Sequence, residues 1–311
     1  MAKRKNILVI TYSQSGQLDE IVASVLEPLQ NDSGLDITIA KLIPDPAYPF
    51  PWDTRRFCDV FPESFQEIPC RLAPLDIDPD APFDLVVLAY QVWFLSPSIP
   101  MSAFLQSEDA RRIIAHRPVV TLIGCRNMWL RAQEKVKVRI AALGGRLTGN
   151  IVLTDRSGNL TGVVTIAYWM LTGRKERFLK IFPRPGISAE DIRAARRFGI
   201  VLRRALKRVP VSLDQAFLNA IGALKVEPTY MIFEKRISRV FAIWSRFIRA
   251  KGGPGRPARQ GRVRAFFFYL LTAIVVLAPV AAILSRLILR VRRDKLRLEK
   301  AYYESNRLRP G

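Results

Sequence analysis

The first 26 residues constrain the fold more than any other part of the chain. Residues 7–12 are almost entirely apolar and predict a buried strand. A short polar turn, 13–16, follows at once. The chain then continues into a pattern typical of an amphipathic helix, with an apolar face formed by Ile21, Val22, Val25 and Leu26. A strand, a tight turn and a helix in this order predict the opening unit of an α/β sheet.

The turn between that strand and helix has the composition of an anion site. Ser13 and Ser15 supply hydroxyl donors, and the exposed amides and dipole of a helix N-terminus favour negative charge. The turn contains no lysine, so it suits one phosphate monoester, such as that of FMN, better than a triphosphate. An ordinary capped turn has a similar composition. The loops at the ends of the other strands are needed to distinguish the two interpretations.

Four further strands are predicted at 35–42, 84–90, 118–124 and 147–154, and they complete a five-stranded sheet within residues 1–156. In an open α/β sheet, ligands bind beyond the carboxyl ends of the strands. The loops after the third and fourth strands are therefore expected to face the first turn. Their candidate ligand-flanking residues are Gln91, Val92, Trp93, Phe94, Cys125, Arg126 and Asn127. Core packing is the alternative role for the two aromatic residues.

Residues 43–83 form an insert rich in proline and aromatic side chains. Such a sequence cannot form a long regular element. Long loops in compact domains are usually functional, so we expect a packed cover over the sheet edge.

Charge divides the chain into two unlike halves. Residues 1–155 carry 16 Lys/Arg and 18 Asp/Glu, whereas residues 156–311 carry 33 and 9. Together with its apolar segments, the basic half favours an anionic membrane over nucleic acid, for which there is no recognition motif. We predict a helical basic membrane-surface region at 157–250, a Gly/Pro/Arg linker at 251–264, a transmembrane or re-entrant anchor at 265–289 and a basic tail at 290–311. For the anchor, a single span is favoured.

Two further features concern the compartment and metals. The three cysteines, Cys58, Cys70 and Cys125, have no metal-ligand or redox spacing and fit a reduced compartment. The N-terminus has no apolar signal region. The expected location is therefore the cytoplasmic face of the inner membrane, and no metal is predicted.

Taken together, these segments resemble the flavodoxin-like fold, with strand order 2-1-3-4-5. The chain is most similar to the DarA-type dialkylresorcinol-condensing enzymes, which are aromatases. The resemblance lies in the segments 10–18, 48–52, 60–64, 91–98, 125–129 and 168–173, whose sequences are ITYSQSGQL, YPFPW, VFPES, QVWFLSPS, CRNMW and YWMLTG.

The resemblance implies FMN as cofactor and a hydrophobic cyclic dione as substrate. It also implies a ketosynthase-type partner enzyme that supplies a 2,5-dialkylcyclohexane-1,3-dione for aromatisation to a dialkylresorcinol. The expected phosphate-binding residues are Ser13, Ser15, Gly16, Gln17 and Leu18, and residues 91–94 and 125–127 would flank the flavin ring. Arg126 is the candidate catalytic residue, stabilising negative charge on the flavin or the substrate. The alternatives are a membrane-associated NAD(P)H:quinone reductase and an electron carrier, although short flavodoxins are acidic.

Overall fold

A parallel sheet forms the centre of the molecule. The structure is a computed structural model that describes residues 4–207, 213–277 and 292–309. Its strands are β1 (Lys5–Thr11), β2 (Leu35–Lys41), β3 (Leu85–Trp93), β4 (Ser96–Pro97), β5 (Pro118–Cys125) and β6 (Arg146–Thr154). The parallel strands follow the order β2-β1-β3-β5-β6. This is the flavodoxin-like order predicted from the sequence.

The sheet has six strands, and the predicted count of five was wrong. The extra strand is β4, which folds back antiparallel on the end of β3 and pairs with Val92 and Trp93. Phe94 and Leu95 make the turn between β3 and β4 with positive φ angles of 49° and 63°. β4 was not predicted because a strand of two residues is too short to show a recognisable pattern in the sequence.

The helices mostly have short connections between them. They are α1 (Gln17–Gln30), α2 (Thr54–Asp59), α3 (Phe61–Phe65), α4 (Ile99–Phe104), α5 (Glu108–Ile114), α6 (Leu130–Ala142), α7 (Asn159–Thr172), α8 (Ala189–Ala194), α9 (Arg196–Leu206), α10 (Gln215–Ala220), α11 (Pro228–Arg249), α12 (Gln260–Thr272) and α13 (Arg293–Tyr303). The insert thus contains two short helices, α2 and α3, in place of a long element.

The basic second half takes part in the main core. Phe198 and Leu202 of α9 are buried in the same cluster as Ile21 and Val25 of α1. The two helices approach so closely that a Cβ on Gly199 would lie 1.9 Å from the Val25 carbonyl oxygen. This part of the extension is helical, as predicted, and α9 covers one face of the sheet together with α1.

The insert is held by the C-terminal helices. Phe61 of α3 stacks on Phe266 of α12 with ring centroids 4.0 Å apart, and Phe241 of α11 completes the cluster. Arg259, which is fully buried, donates to Asp59 Oδ1 at 2.7 Å and to Glu63 Oε1 at 2.9 Å. The insert, which we expect to cover the sheet edge, is therefore held in place by contacts with α11, α12 and Arg259.

The predicted anchor at 265–289 falls partly on residues 278–291, which lie outside the described part of the chain. Within the ranges that the structure describes, no helix combines the length and apolarity that a membrane crossing requires. The membrane-associated extension predicted from the sequence is therefore not shown.

Candidate functional site

A cavity of about 210 Å³ lies at the carboxyl ends of β1, β3 and β5. Three groups of residues line it: the first turn and α1, the loops after β3 and β5, and the covering segments from the insert and α7. Nine predicted site residues line this cavity, namely Ser15, Gln17, Leu18, Gln91, Val92, Trp93, Phe94, Cys125 and Arg126. Ser13 and Gly16 lie in the same turn but do not line it, and Asn127 lines a neighbouring cavity.

The turn after β1 is shaped to receive an anion. Gly16 has a φ of 81°, a left-handed conformation that glycine adopts without strain, and it places α1 with its first amides at the cavity. Ser13 Oγ is buried and has no hydrogen-bond partner among the described residues. A buried hydroxyl without a partner is costly, so an acceptor group arriving here would be favoured.

Gln14 ties this turn to its surroundings. Its backbone N–H donates to Gln91 Oε1 at 3.2 Å, and its side-chain amide donates to the Pro49 carbonyl at 2.6 Å. The first turn, the loop after β3 and the insert are thus joined through one residue. Sequence reasoning did not select Gln14, because nothing local distinguishes it from the other polar residues of the turn.

The side chain of Gln17 is engaged away from the predicted phosphate turn. Its side chain accepts from the Ile187 N–H and donates to the Ile187 carbonyl, both at 3.1 Å. Gly186, with a φ of 81°, brings this segment so near that a Cβ would lie 2.7 Å from Gln17 Oε1. The Gln17 side chain is therefore occupied by Ile187, and only the backbone N–H of Gln17 remains available to an anion in the turn.

The loop after β3 contributes the aromatic side of the cavity. Trp93 makes edge contacts with Tyr48 and Trp52, with ring centroids 5.3 and 5.8 Å apart. Phe94 packs against Phe57 and Phe61 of the insert. These aromatic residues therefore line the cavity and also hold the cover in place.

The insert and α7 add wall residues that sequence reasoning did not number as site residues. From the insert come Trp52, Phe57 and Val60, and from α7 come Ile166, Trp169 and Met170. The Trp52 backbone N–H donates to the Met170 carbonyl at 2.7 Å, joining the two covers. Trp52 Nε1 is buried and has no partner within the described ranges, so it is a second donor for a ligand acceptor.

Arg126 lies at the inner wall, where burial lowers the pKa of its guanidinium group while the nearby Tyr230 and Asp155 raise it. It packs against α7 at Gly162, where a Cβ would lie 3.2 Å from Arg126 Nε and 3.6 Å from Asp155 Oδ2. The Asp155 N–H donates to the Cys125 carbonyl at 3.2 Å, so the loops after β5 and β6 meet here. Asp155 was not predicted, because a single aspartate at a strand end has no distinguishing pattern.

Three further titratable groups, Cys125, Tyr12 and Tyr90, are not activated. Burial raises the pKa of the Cys125 thiol well above its usual range, and the Glu234 carboxylate raises it further. Burial also raises the pKa of Tyr12 and of Tyr90. Tyr90 is fully buried and donates to Gln133 Oε1, which is a structural contact. None of these three groups is a nucleophile or a base at neutral pH.

A second cavity, of about 740 Å³, adjoins the first on the far side of Asp155. Two of its three cations are ion-paired, Arg156 with Asp191 and Lys225 with Glu227, both at 2.5 Å, and the third, Arg197, donates to the Ile221 carbonyl at 2.8 Å. Its apolar wall contains Trp129, Leu224 and Phe233. Among the described residues no group of His, Cys, Asp or Glu side chains is arranged to hold a metal ion.

The first cavity fits FMN in the chemistry of its donors. Ser13 Oγ, Ser15 and the amides of α1 would receive the phosphate without needing a cation. The aromatic walls would hold the flat ring system, and Trp52 Nε1 and Arg126 would face its polar edge. In architecture, the chain is an open parallel α/β protein of flavodoxin-like topology with a ligand cavity at the switch point.

Comparison with known proteins gives no family. No protein-family model matches the chain, and no curated protein matches it. A flavodoxin from the domain Archaea is similar in structure, with 10% identity, a TM-score of 0.36 and coverage of 66% of this chain and 99% of that one. A flavoprotein in complex with FMN from Lactobacillus acidophilus has 14% identity, a TM-score of 0.36 and coverage of 49% and 93%. The Trp repressor binding protein of Bacillus subtilis has 8% identity, a TM-score of 0.30 and coverage of 54% and 98%. Since these values are low, the fold assignment rests on the strand order.

Proposed function

We propose that this protein is an FMN-dependent oxidoreductase that dehydrogenates a hydrophobic cyclic dione. The observation that carries the proposal is the meeting of three loops around one cavity, whose lining includes part of a cation-free turn and several aromatic side chains. Bound FMN would supply the capacity to accept two electrons and a proton as hydride, which protein side chains lack.

The residues of the chain have separate tasks in this proposal. The turn at 13–18 would hold the phosphate, and the cavity wall that includes Trp93 and Trp169 would receive the ring. Arg126 presents a buried positive charge to the oxyanion or enolate that develops during oxidation. The apolar side chains that the insert and α7 contribute to the cavity wall would reduce the amount of water around a bound ring.

The substrate class follows from the character of these walls and from the resemblance noted above. A 2,5-dialkylcyclohexane-1,3-dione that loses two hydrogens becomes a dialkylresorcinol, and its alkyl chains suit a lining of tryptophan, phenylalanine, isoleucine and methionine. A ketosynthase-type enzyme is the class of partner that would supply this dione.

The visible absorption spectrum of the purified full-length protein tests the cofactor, and we expect flavin bands that persist through gel filtration. Incubation with a synthetic 2,5-dialkylcyclohexane-1,3-dione should then give a product lighter by two hydrogens in mass spectrometry. Steady NAD(P)H consumption with simple quinones and no turnover of the dione would instead establish a quinone reductase. Failure to bind FMN would refute both functions.

A further inference from the structure

The helix that walls the cavity is apolar on its outer face as well. Ile166, Trp169 and Met170 of α7 point inward to the cavity. On the opposite face, Val164 and Leu171 are exposed, and so is Ala167 between them. A surface helix normally has a polar outer face, so a helix that is apolar on both faces indicates a partner for the outer one.

The turn after α7 extends this apolar surface. Leu179 and Lys180 have positive φ angles of 50° and 60°, which are strained for residues other than glycine. In this conformation, Leu179 is 65% exposed and Ile181 is 80% exposed. We call Val164, Ala167, Leu171, Leu179 and Ile181, together with the cations of 174–184, the rim surface.

The charges of the rim surface are strongly one-sided. Residues 174–184 contain five cations and one carboxylate, Glu176. Two of the cations are paired, Arg174 with Glu176 at 3.7 Å and Lys175 with Glu20 at 3.3 Å. Arg177, Lys180 and Arg184 form no ion pair with any carboxylate of the described ranges. Aliphatic side chains surrounded by such cations match the interface of an anionic bilayer, where acyl chains lie beneath phosphate groups.

We propose that the rim surface, which lies on the outer side of the cavity wall formed by α7, docks the protein on an anionic lipid bilayer. Lys175 connects the two regions, since its ammonium group lies over the ring of Trp169, a wall residue of the cavity, at 5.3 Å from the centroid. Docking through this surface places α7, the helix that walls the cavity, directly against the bilayer. The inference goes beyond the proposed function and does not require flavin.

A local fluorescence probe tests the proposal in the full-length chain. The background is the Cys70→Ser, Cys125→Ser double variant, because these two cysteines are partly exposed whereas Cys58 is buried. An environment-sensitive fluorophore is attached to the Ile181→Cys variant. The matched control is the Val138→Cys variant on α6, which is 61% exposed and far from the rim surface in sequence. Vesicles of phosphatidylcholine are compared with vesicles that also contain phosphatidylglycerol.

We expect a blue shift and quenching by brominated acyl chains at position 181 with the anionic vesicles only, and no response at position 138. In the triple variant Arg177→Gln, Lys180→Gln, Arg184→Gln, the lipid concentration for half response should rise by about tenfold or more, since each cation contributes on the order of a factor of five. No response at 181, an equal response at 138 or an unchanged triple variant would overturn the proposal. No response at position 181 would instead indicate a protein partner for the rim surface.

The result is independent of the cofactor. If purified protein lacks flavin but the probe at 181 responds, the proposed function fails and the docking surface stands. If flavin is bound and the probe is silent, the reverse holds. Thermal unfolding of every labelled variant, compared with the background variant, excludes misfolding as the cause of a missing response.

Discussion

At the scale of single residues, the proposed phosphate turn has no positive side chain. FMN binding should therefore be sensitive to a negative charge added to this turn. Ser15 lines the cavity, and the described residues of this turn carry no positive side chain that would offset a carboxylate. Replacing Ser15 by Asp should weaken FMN binding by at least about 100-fold, because like charges in close contact cost several kcal/mol. Fluorescence titration of the apoprotein with FMN measures this change.

Ser33→Asp is the matched control for Ser15→Asp, since Ser33 is exposed beyond the other end of α1. It adds the same charge to the chain and should leave FMN binding unchanged. Full flavin affinity in the Ser15→Asp variant would show that the phosphate lies elsewhere.

Glu234 gives the molecule a pH-dependent contact next to the cavity. This buried residue of α11 accepts from the N–H groups of Leu130 and Arg131, at the start of α6. Burial raises the pKa of Glu234 to about 7, although these N–H groups act in the opposite direction. Because the folded-state pKa lies above the unfolded-state value, the protein gains stability from this group at low pH. That gain is lost as the pH rises through about 7.

The Glu234→Gln variant isolates this contribution. Between pH 5 and pH 8 the wild-type free energy of unfolding should fall by about 2 to 3 kcal/mol more than that of the variant, at 1.36 kcal/mol per pKa unit. Urea unfolding at both pH values measures the difference. Parallel pH profiles for the two proteins would show that Glu234 is not the titrating group.

At the scale of elements, the insert depends on the C-terminal helices for its position. Arg259 is fully buried between Asp59 of α2 and Glu63 of α3. Removing one partner of a buried ion cluster leaves unpaired charges behind, so Arg259→Ala should lower the free energy of unfolding by about 3 to 5 kcal/mol. It should also weaken FMN binding, because the insert carries Trp52 and Phe57. Urea unfolding and FMN titration measure the two effects.

Arg256→Ala is the control for this prediction, because Arg256 is an exposed residue in the same linker. Its stability should stay within about 0.5 kcal/mol of the wild type. If Arg259→Ala were equally harmless, the insert would have to be held by its aromatic contacts alone.

These contacts also explain what the sequence could and could not predict. The parallel strands were predictable because each has an apolar run or an alternating apolar pattern of its own, and the strand ends brought Trp93 and Arg126 to one edge. The hydrogen bonds between the Gln17 side chain and the Ile187 backbone were not predictable, since they join residues 170 positions apart and neither residue has a local signal. Arg259 was interpreted as part of a flexible linker. The composition of residues 251–264 does not reveal that Arg259 pairs with two carboxylates of the insert, Asp59 and Glu63.

At the scale of the whole molecule, the described C-terminal tail is part of the folded body. Tyr302 of α13 donates to Glu134 Oε2 of α6 at 2.5 Å, and Lys137 donates to the Arg307 carbonyl at 3.2 Å. The preceding described element, α12, packs against the insert of the same body. A chain that crossed a membrane once between α12 and α13 would have to give up these contacts, which weighs against the single span favoured from the sequence.

Two leucines of α13 test whether the tail is truly docked. Leu296 is 8% exposed and lies in the main hydrophobic cluster, whereas Leu298 is 76% exposed on the same helix. Leu296→Ala should lower the free energy of global unfolding by about 2 to 4 kcal/mol, since it leaves a cavity in a packed core. Leu298→Ala removes the same atoms from solvent and should change it by less than about 0.5 kcal/mol. Equal effects of the two substitutions on urea unfolding would mean that the tail does not pack against α6 and α11 in solution, and the argument against a single crossing would fall with it.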